Sequence, residues 1–206
     1  MAVCASVVFL SGCGDHAEEP APLSAGQAEA VLPDAPSVPG WKVSLPPVAY
    51  SFKRAVAVGV ARCYGDSARD SCAQVRFTGA SAFHRRGEPD ITFVIQTYED
   101  ESSAESAYGT VWKAWKHRVP QSRPVHTGRL GEQSDAVVGL NAAMAEGSKG
   151  LLVQVRVGSV ILLSMAEAGA HVDVPDSYLR RFAGGFAQRA VEAQDGRTPS
   201  AGPAGG

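Results

Sequence analysis

The sequence predicts an α+β fold of two layers, in which an antiparallel sheet of about five or six strands carries two long helices on one face. Three observations predict it. Strand-like stretches are joined by short links rich in turn residues, which suits antiparallel neighbours, because parallel ones need long crossovers. Two long stretches, 100–118 and 176–194, repeat apolar residues at helical spacing. The order helix, strands, helix, strands, helix gives each amphipathic helix a sheet face on which to bury its stripe.

Residues 23–32, "LSAGQAEAVL", predict a short helix. Ser24 and Gln27 have the spacing of a capping box, and Pro33 ends the helix. "WKVSLPP" reads as a short edge strand, since its prolines are excluded from a sheet interior. Residues 52–62 alternate valines as a strand would but are also rich in alanine, and stay open between strand and helix. "AQVRFTGASAF" is a strand with Gly79 as a bulge, "HRRGEPD" a loop, and "ITFVIQTY" a central strand with apolar residues on both faces.

The helix over 100–118 has Ser102 and Glu105 as its expected capping box, with Ala104, Ala107, Tyr108, Val111 and Trp115 on one side. Lys113, Lys116, His117 and Arg118 gather where the helix dipole favours cations. Residues 123–169 read as successive strands. Gly158-Ser159 suits the type II′ turn of a tight hairpin, and one long strand kinked at Gly158 is the alternative. The closing helix places Leu179, Phe182, Phe186 and Ala190 together, and its Gly184-Gly185 pair implies a close backbone approach or a kink.

The division of the chain follows from its opening, "MAVCASVVFLSGCGDHAEEP". The apolar run Ala2 to Leu10 is too short to span a bilayer but has the length of a secretory h-region. Leu10-Ser11-Gly12-Cys13 resembles the lipobox of bacterial lipoproteins, although no Lys or Arg precedes the apolar run. That resemblance implies a diacylglycerol thioether on Cys13 and cleavage before it. Residues 1–12 are then a signal peptide, 13–23 a flexible tether, 24–194 one domain and 195–206 a disordered tail.

Cys4 would leave with the signal and Cys13 would carry lipid, so Cys63 and Cys72 remain. An even remainder outside the cytosol reads as a disulfide, and closing that short loop contributes roughly 2–3 kcal/mol in the chain-entropy model. The net charge of -2 gives no electrostatic reason to bind nucleic acid, and no strong one to bind anionic headgroups.

The five histidines form neither His-x-His nor His-Glu-x-x-His, which leaves a zinc enzyme without support. There is no Gly-x-Ser-x-Gly elbow and no phosphate-binding glycine loop. His84, Arg85 and Arg86 are candidate anion contacts, weighed against a solvated hairpin tip. Trp41, Trp112 and Trp115 are candidate lining for a ligand cleft, weighed against plain core.

Several of these features together are similar to secreted actinobacterial lipoproteins of unknown function: the Leu10–Cys13 motif, "LPDAPSVPGW", the cysteine pair, "ITFVIQTYEDESSAESAYGTVWKAWK", "VQVRVGSVILL" and the last helix. They also resemble the extracellular sensor domains of actinobacterial Ser/Thr kinases and, more distantly, PsbP-like lipoproteins. The likeness spans about residues 24–192 and is one of pattern. It departs from the kinase sensor domains in offering one disulfide where those typically have two.

The resemblance implies a non-catalytic module of the cell envelope, held on the outer face of the cytoplasmic membrane through Cys13, with an apolar cleft for a small or lipidic ligand. No cofactor, metal or nucleic acid is expected. The alternatives are a scaffolding lipoprotein that contacts an envelope protein and, less favoured, a hydrolase.

Overall fold

Strand residues 149–157, "KGLLVQVRV", show how the architecture arises. Leu151, Val153, Val155 and Val157 are buried in one apolar cluster, whereas Leu152 is buried in a second. Successive strand side chains point to opposite faces, so this strand carries core on both sides and its sheet is covered on both. The computed structural model describes residues 22–57, 72, 74–142, 146–172 and 174–202. Among them are seven strands and four helices, an α+β arrangement.

Helix α1 spans Ala25–Val31, β1 Lys42–Ser51, α2 Phe52–Ala57, β2 Phe77–His84, β3 Asp90–Thr97 and α3 Glu101–Lys116. They are followed by β4 Arg123–Pro124, β5 Gln133–Leu140, β6 Lys149–Val157, β7 Val160–Ala168 and α4 Asp176–Gln194. The sheet runs β1-β2-β3-β7-β6-β5-β4, and every adjacent pair is antiparallel. The sheet therefore has seven strands rather than the expected five or six. The two-residue β4 supplies the strand beyond six, since a dipeptide strand is not visible in alternation.

The expectation of two long helices on one face is corrected. Phe182, Phe186 and Ala190 of α4 pack with α1 against Phe93, Ile95, Val153 and Leu162. Ala104, Ala107, Tyr108 and Val111 of α3 pack against Val94, Leu152, Ile161 and Leu163. These strand residues have opposite parity, so α3 and α4 lie on opposite sides and the domain has three layers. Both-face burial of β3 and β7 already required this.

Local signals hold where the chemistry is short-range. Ser24 and Gln27 form the capping box, and Leu32 closes α1 before Pro33. Gly158 alone takes a positive φ (49°) in the two-residue β6–β7 turn, as the first position of a type II′ turn requires. α3 departs by two residues: Asp100 is its N-cap and accepts from the Ser103 N–H at 2.7 Å, so Ser102 and Glu105 lie inside the helix.

Gly79 is in regular register with Ile95 and Ala49, and the irregularity falls on β1 between Val43 and Val48 instead. Glycine is needed at 79 for another reason. A Cβ there would come within 2.5 Å of the Val48 carbonyl and 3.0 Å of Leu32. The stretch left open resolves in part, with Phe52–Ala57 helical and 58–62 outside the described residues. α4 runs unbroken through Gly184-Gly185; of its expected apolar face, the Leu179 side chain lies outside the described set.

Beyond α4, in the tail expected to be disordered, residues 200 and 201 are hydrogen-bonded back to the helix. Glu192 accepts from the N–H groups of Ser200 at 2.6 Å and Ala201 at 3.3 Å. The buried Arg189 guanidinium donates to the carbonyls of Ala30, Val31, Leu32 and Ala201 at 2.8–3.3 Å. One side chain thus satisfies the orphan carbonyls at the end of α1 and pins the returning chain. Desolvation lowers the Arg189 pKa, and Asp34 and Glu192 oppose that shift.

Candidate functional site

The hairpin joining β2 and β3 brings three distant segments to one end of the sheet. Gly87, at φ 79°, lets residues 85–88 turn tightly, and the Glu88 N–H donates to the Arg85 carbonyl at 3.0 Å. Lys42 pairs with His84, so β1 starts beside this hairpin. Asp90 pairs with Glu167, so the chain leaving β7 toward α4 starts there too.

The first turns of α4 then set Tyr178 and Phe182, one helical turn apart, against Trp41. Their ring centroids lie 6.2 Å and 5.7 Å from the indole, both edge to face. The Arg181 guanidinium stands 5.8 Å from the Phe182 centroid. Burial pushes the Tyr178 phenol up from 10.0, with the Glu88 carboxylate acting in the same direction and Arg85 and Arg181 opposing it. Hairpin, helix and strand entry therefore form one electrostatic neighbourhood.

Its rim is cationic. Lys42, His84, Arg85, Arg86, Arg180 and Arg181 are all exposed at this end, with the carboxylates Glu88 and Asp90 among them. The opposite end, where α3 begins and β6 turns into β7, carries Glu99, Asp100, Glu101, Glu105 and Glu132, with Arg76 paired to Glu99 and Arg156 to Glu101. Guanidinium and ammonium groups beside aromatic edges suit recognition of phosphate or carboxylate oxygens.

His84, Arg85 and Arg86 thus share an end of the molecule with Trp41. Trp112 and Trp115 do not: both are half-buried against the cluster under α3, on the other face, and Arg118 sits 5.3 Å from the Trp115 ring centroid. The expected three-tryptophan cleft does not form, because β1 leads Trp41 to the face covered by α4. Sequence reasoning missed Tyr178 and Arg181. Their spacing about Phe182 marks a helix flank, but only the sheet register shows what that flank meets.

Cys72 is half-buried and is not a free thiol. Cys63 and Cys13 lie outside the described residues. Between α1, α4 and the docked tail, Pro33, Val38, Phe93, Phe186 and Arg189 line a small, partly open pocket of about 10 Å³, the space of a single water. On the other face Arg156 is a brace of a different kind. It donates to Gln133 Oε1 at 2.7 Å and pairs with Glu101 at 2.8 Å. Among the described residues no group of three or more His, Cys, Asp or Glu is placed to hold a metal ion, and no helix is long and apolar enough to cross a membrane.

Comparison with known proteins gives no matching family model and no matching curated protein. Among solved structures, the fold is similar to the extracellular domain of PknH from Mycobacterium tuberculosis. The TM-score is 0.50 at 12% identity, over 86% of this chain and 100% of that one. The class shown is therefore this α+β fold, found also in the extracellular domain of a mycobacterial kinase.

Proposed function

We propose that this chain is a lipid-anchored, extracytoplasmic, sensor-like recognition module of the cell envelope, acting by binding and not by catalysis. The observation that carries the reading is the likeness of fold to an extracellular kinase domain along that domain's whole length. The Leu10–Cys13 motif supplies the anchor, and a Cys63–Cys72 disulfide suits an oxidising compartment. Two buried arginines, Arg156 and Arg189, are committed to holding the fold. The exposed Arg85, Arg86 and Arg181 are left for contact with a ligand or partner.

Intact-mass analysis of the protein from native membranes tests this. The reading expects an acylated N-terminal Cys13 and a mass two hydrogens below that of the reduced chain. Recovery from cytosol with Met1 retained and all thiols free overturns it.

A second reading, a scaffolding lipoprotein, is favoured by partly exposed apolar residues on β1 and β2. There Leu45 is 38% exposed beside the half-exposed Val48, Ala80 and Ala82. Photocrosslinking from Ala82 in whole cells separates the two: one trapped protein supports scaffolding, and none counts against it.

A further inference from the structure

We infer that the basic end of the sheet seats the folded domain on an anionic phospholipid surface. Three segments far apart in sequence contribute cations there: Lys42 from the start of β1, Arg85 and Arg86 from the hairpin tip, and Arg180 and Arg181 from α4. Antiparallel register makes them converge, since Lys42 opposes His84 and Asp90 opposes Glu167. Arg118 lies 3.5 Å from Glu167, which offsets one of the acids behind the rim.

The far end carries Asp100, Glu101, Glu105 and Glu132 together with the cations Lys53, Arg54, Arg76 and Arg156, of which Arg76 pairs with Glu99 and Arg156 with Glu101. What the basic end offers a negative surface is local: five exposed cations gathered beside two exposed carboxylates, Glu88 and Asp90. The cations are long, exposed side chains spread over a rim and not aimed into a pocket, which suits many headgroups better than one small anion. Trp41 stands half-buried beside them, an indole suited to the headgroup level.

The inference takes its surface from the lipid anchor proposed above. Pro22, the first described residue, is nine positions after Cys13, a length that reaches roughly 30 Å when extended. That is enough to let charge choose which end meets the membrane. A basic patch added to an acyl anchor follows the two-signal logic of peripheral attachment.

The test uses the full chain with Cys13→Ser, so that no acyl group contributes. It is sedimented with vesicles of phosphatidylcholine alone, or with about one third phosphatidylglycerol. Binding is expected to the anionic vesicles only and to fall as salt rises. It should weaken about fivefold for each charge removed by Arg85→Gln, Arg86→Gln and Arg181→Gln. Lys53→Gln and Arg54→Gln, near the opposite end, should leave it unchanged, with circular dichroism confirming that every variant is folded.

Equal binding to both vesicle types, or hairpin variants that sediment like the parent, overturns the inference. Intact mass of the native protein keeps the two proposals apart. A chain without lipid on Cys13 that still binds the anionic vesicles loses the anchor and keeps this surface. A lipidated chain that ignores the vesicles loses this surface alone.

Discussion

The two faces of the sheet are closed by different means, although the same strands supply both. Under α1 and α4 the contact is aromatic: Phe93 meets Phe83 at 6.0 Å, Phe186 at 5.2 Å and Phe182 at 6.3 Å between centroids. Under α3 the sheet offers a polar stripe. Gln154 donates to the Tyr108 carbonyl at 2.8 Å, and the Tyr108 hydroxyl donates to the Gln154 carbonyl at 3.2 Å. Apolar packing tolerates few holes, whereas a hydrogen-bonded stripe fixes register at a modest net stabilisation. The α4 side should therefore hold most of the stability, and the α3 side should set how its helix sits.

The largest expected effect tests that ranking directly. Phe93 and Val94 are adjacent and point into opposite cores, 1% and 9% exposed. Phe93→Ala should cost about 3–5 kcal/mol. Val94→Ala removes two carbons and should cost about 1.5 kcal/mol. Denaturant melts of both variants check this, and equal losses would mean that the faces are not distinct.

The two buried arginines sharpen the comparison. Arg189 serves four backbone carbonyls, which cannot turn away when it is gone, whereas Arg156 serves one, that of Gly158, beside Gln133 and the 48% exposed Glu101. Arg189→Met should cost about 2–3 kcal/mol by stranding buried acceptors, and Arg156→Met about 1 kcal/mol. Only Arg189→Met should also make the peptide bonds around residues 197–202 sensitive to limited proteolysis.

This asymmetry explains what could be read in the sequence. Short-range chemistry was legible: the Ser24–Gln27 box, the Gly158-Ser159 turn and the Phe182–Phe186–Ala190 stripe need only neighbours along the chain. Long-range pairing was not. Trp41, Trp112 and Trp115 are alike in size and apolarity, yet Trp41, just before β1, packs with the α4 face while Trp112 and Trp115 ride on α3 on the other face. The charge pattern failed in the same way. A total of -2 conceals the collection of Arg85 and Arg181 at one end, which depends on β1, β2 and α4 meeting there. The tail read as disordered from its Gly, Pro and Ser content, but Arg189 and Glu192 offer it partners 8–12 residues back along the chain.

A smaller effect is expected from Tyr108→Phe, which removes the hydroxyl held to Gln154 while leaving the ring in place. About 1 kcal/mol should be lost, and backbone amides of α3 should exchange faster than those of α4. Equal exchange in both helices would show that the hydroxyl does not secure α3.

The mildest perturbation is acid, and it should act on the tail before the sheet. Glu192 is held below its ordinary 4.5, chiefly by the Ser200 N–H; burial opposes this, while the Ala201 N–H, Arg197 and Arg189 reinforce it. A carboxyl depressed in the folded state adds stability that is complete above its unfolded pKa. That stability is lost as pH falls through the folded value. Amide protection of Ser200 and Ala201 should thus be constant near neutrality and fade below about pH 4.5, ahead of any loss in β3 or β7. Glu192→Gln should flatten this pH dependence, because its amide oxygen still accepts a hydrogen bond but no longer titrates. Asp34 would add a weaker trend of the same sign: burial raises its pKa, but Ser37 and Arg189 together hold it below 3.8. Because Arg189 acts on both carboxyls, Arg189→Met should shift the acid transition of the tail to higher pH, while Arg156→Met on the other face should leave it in place.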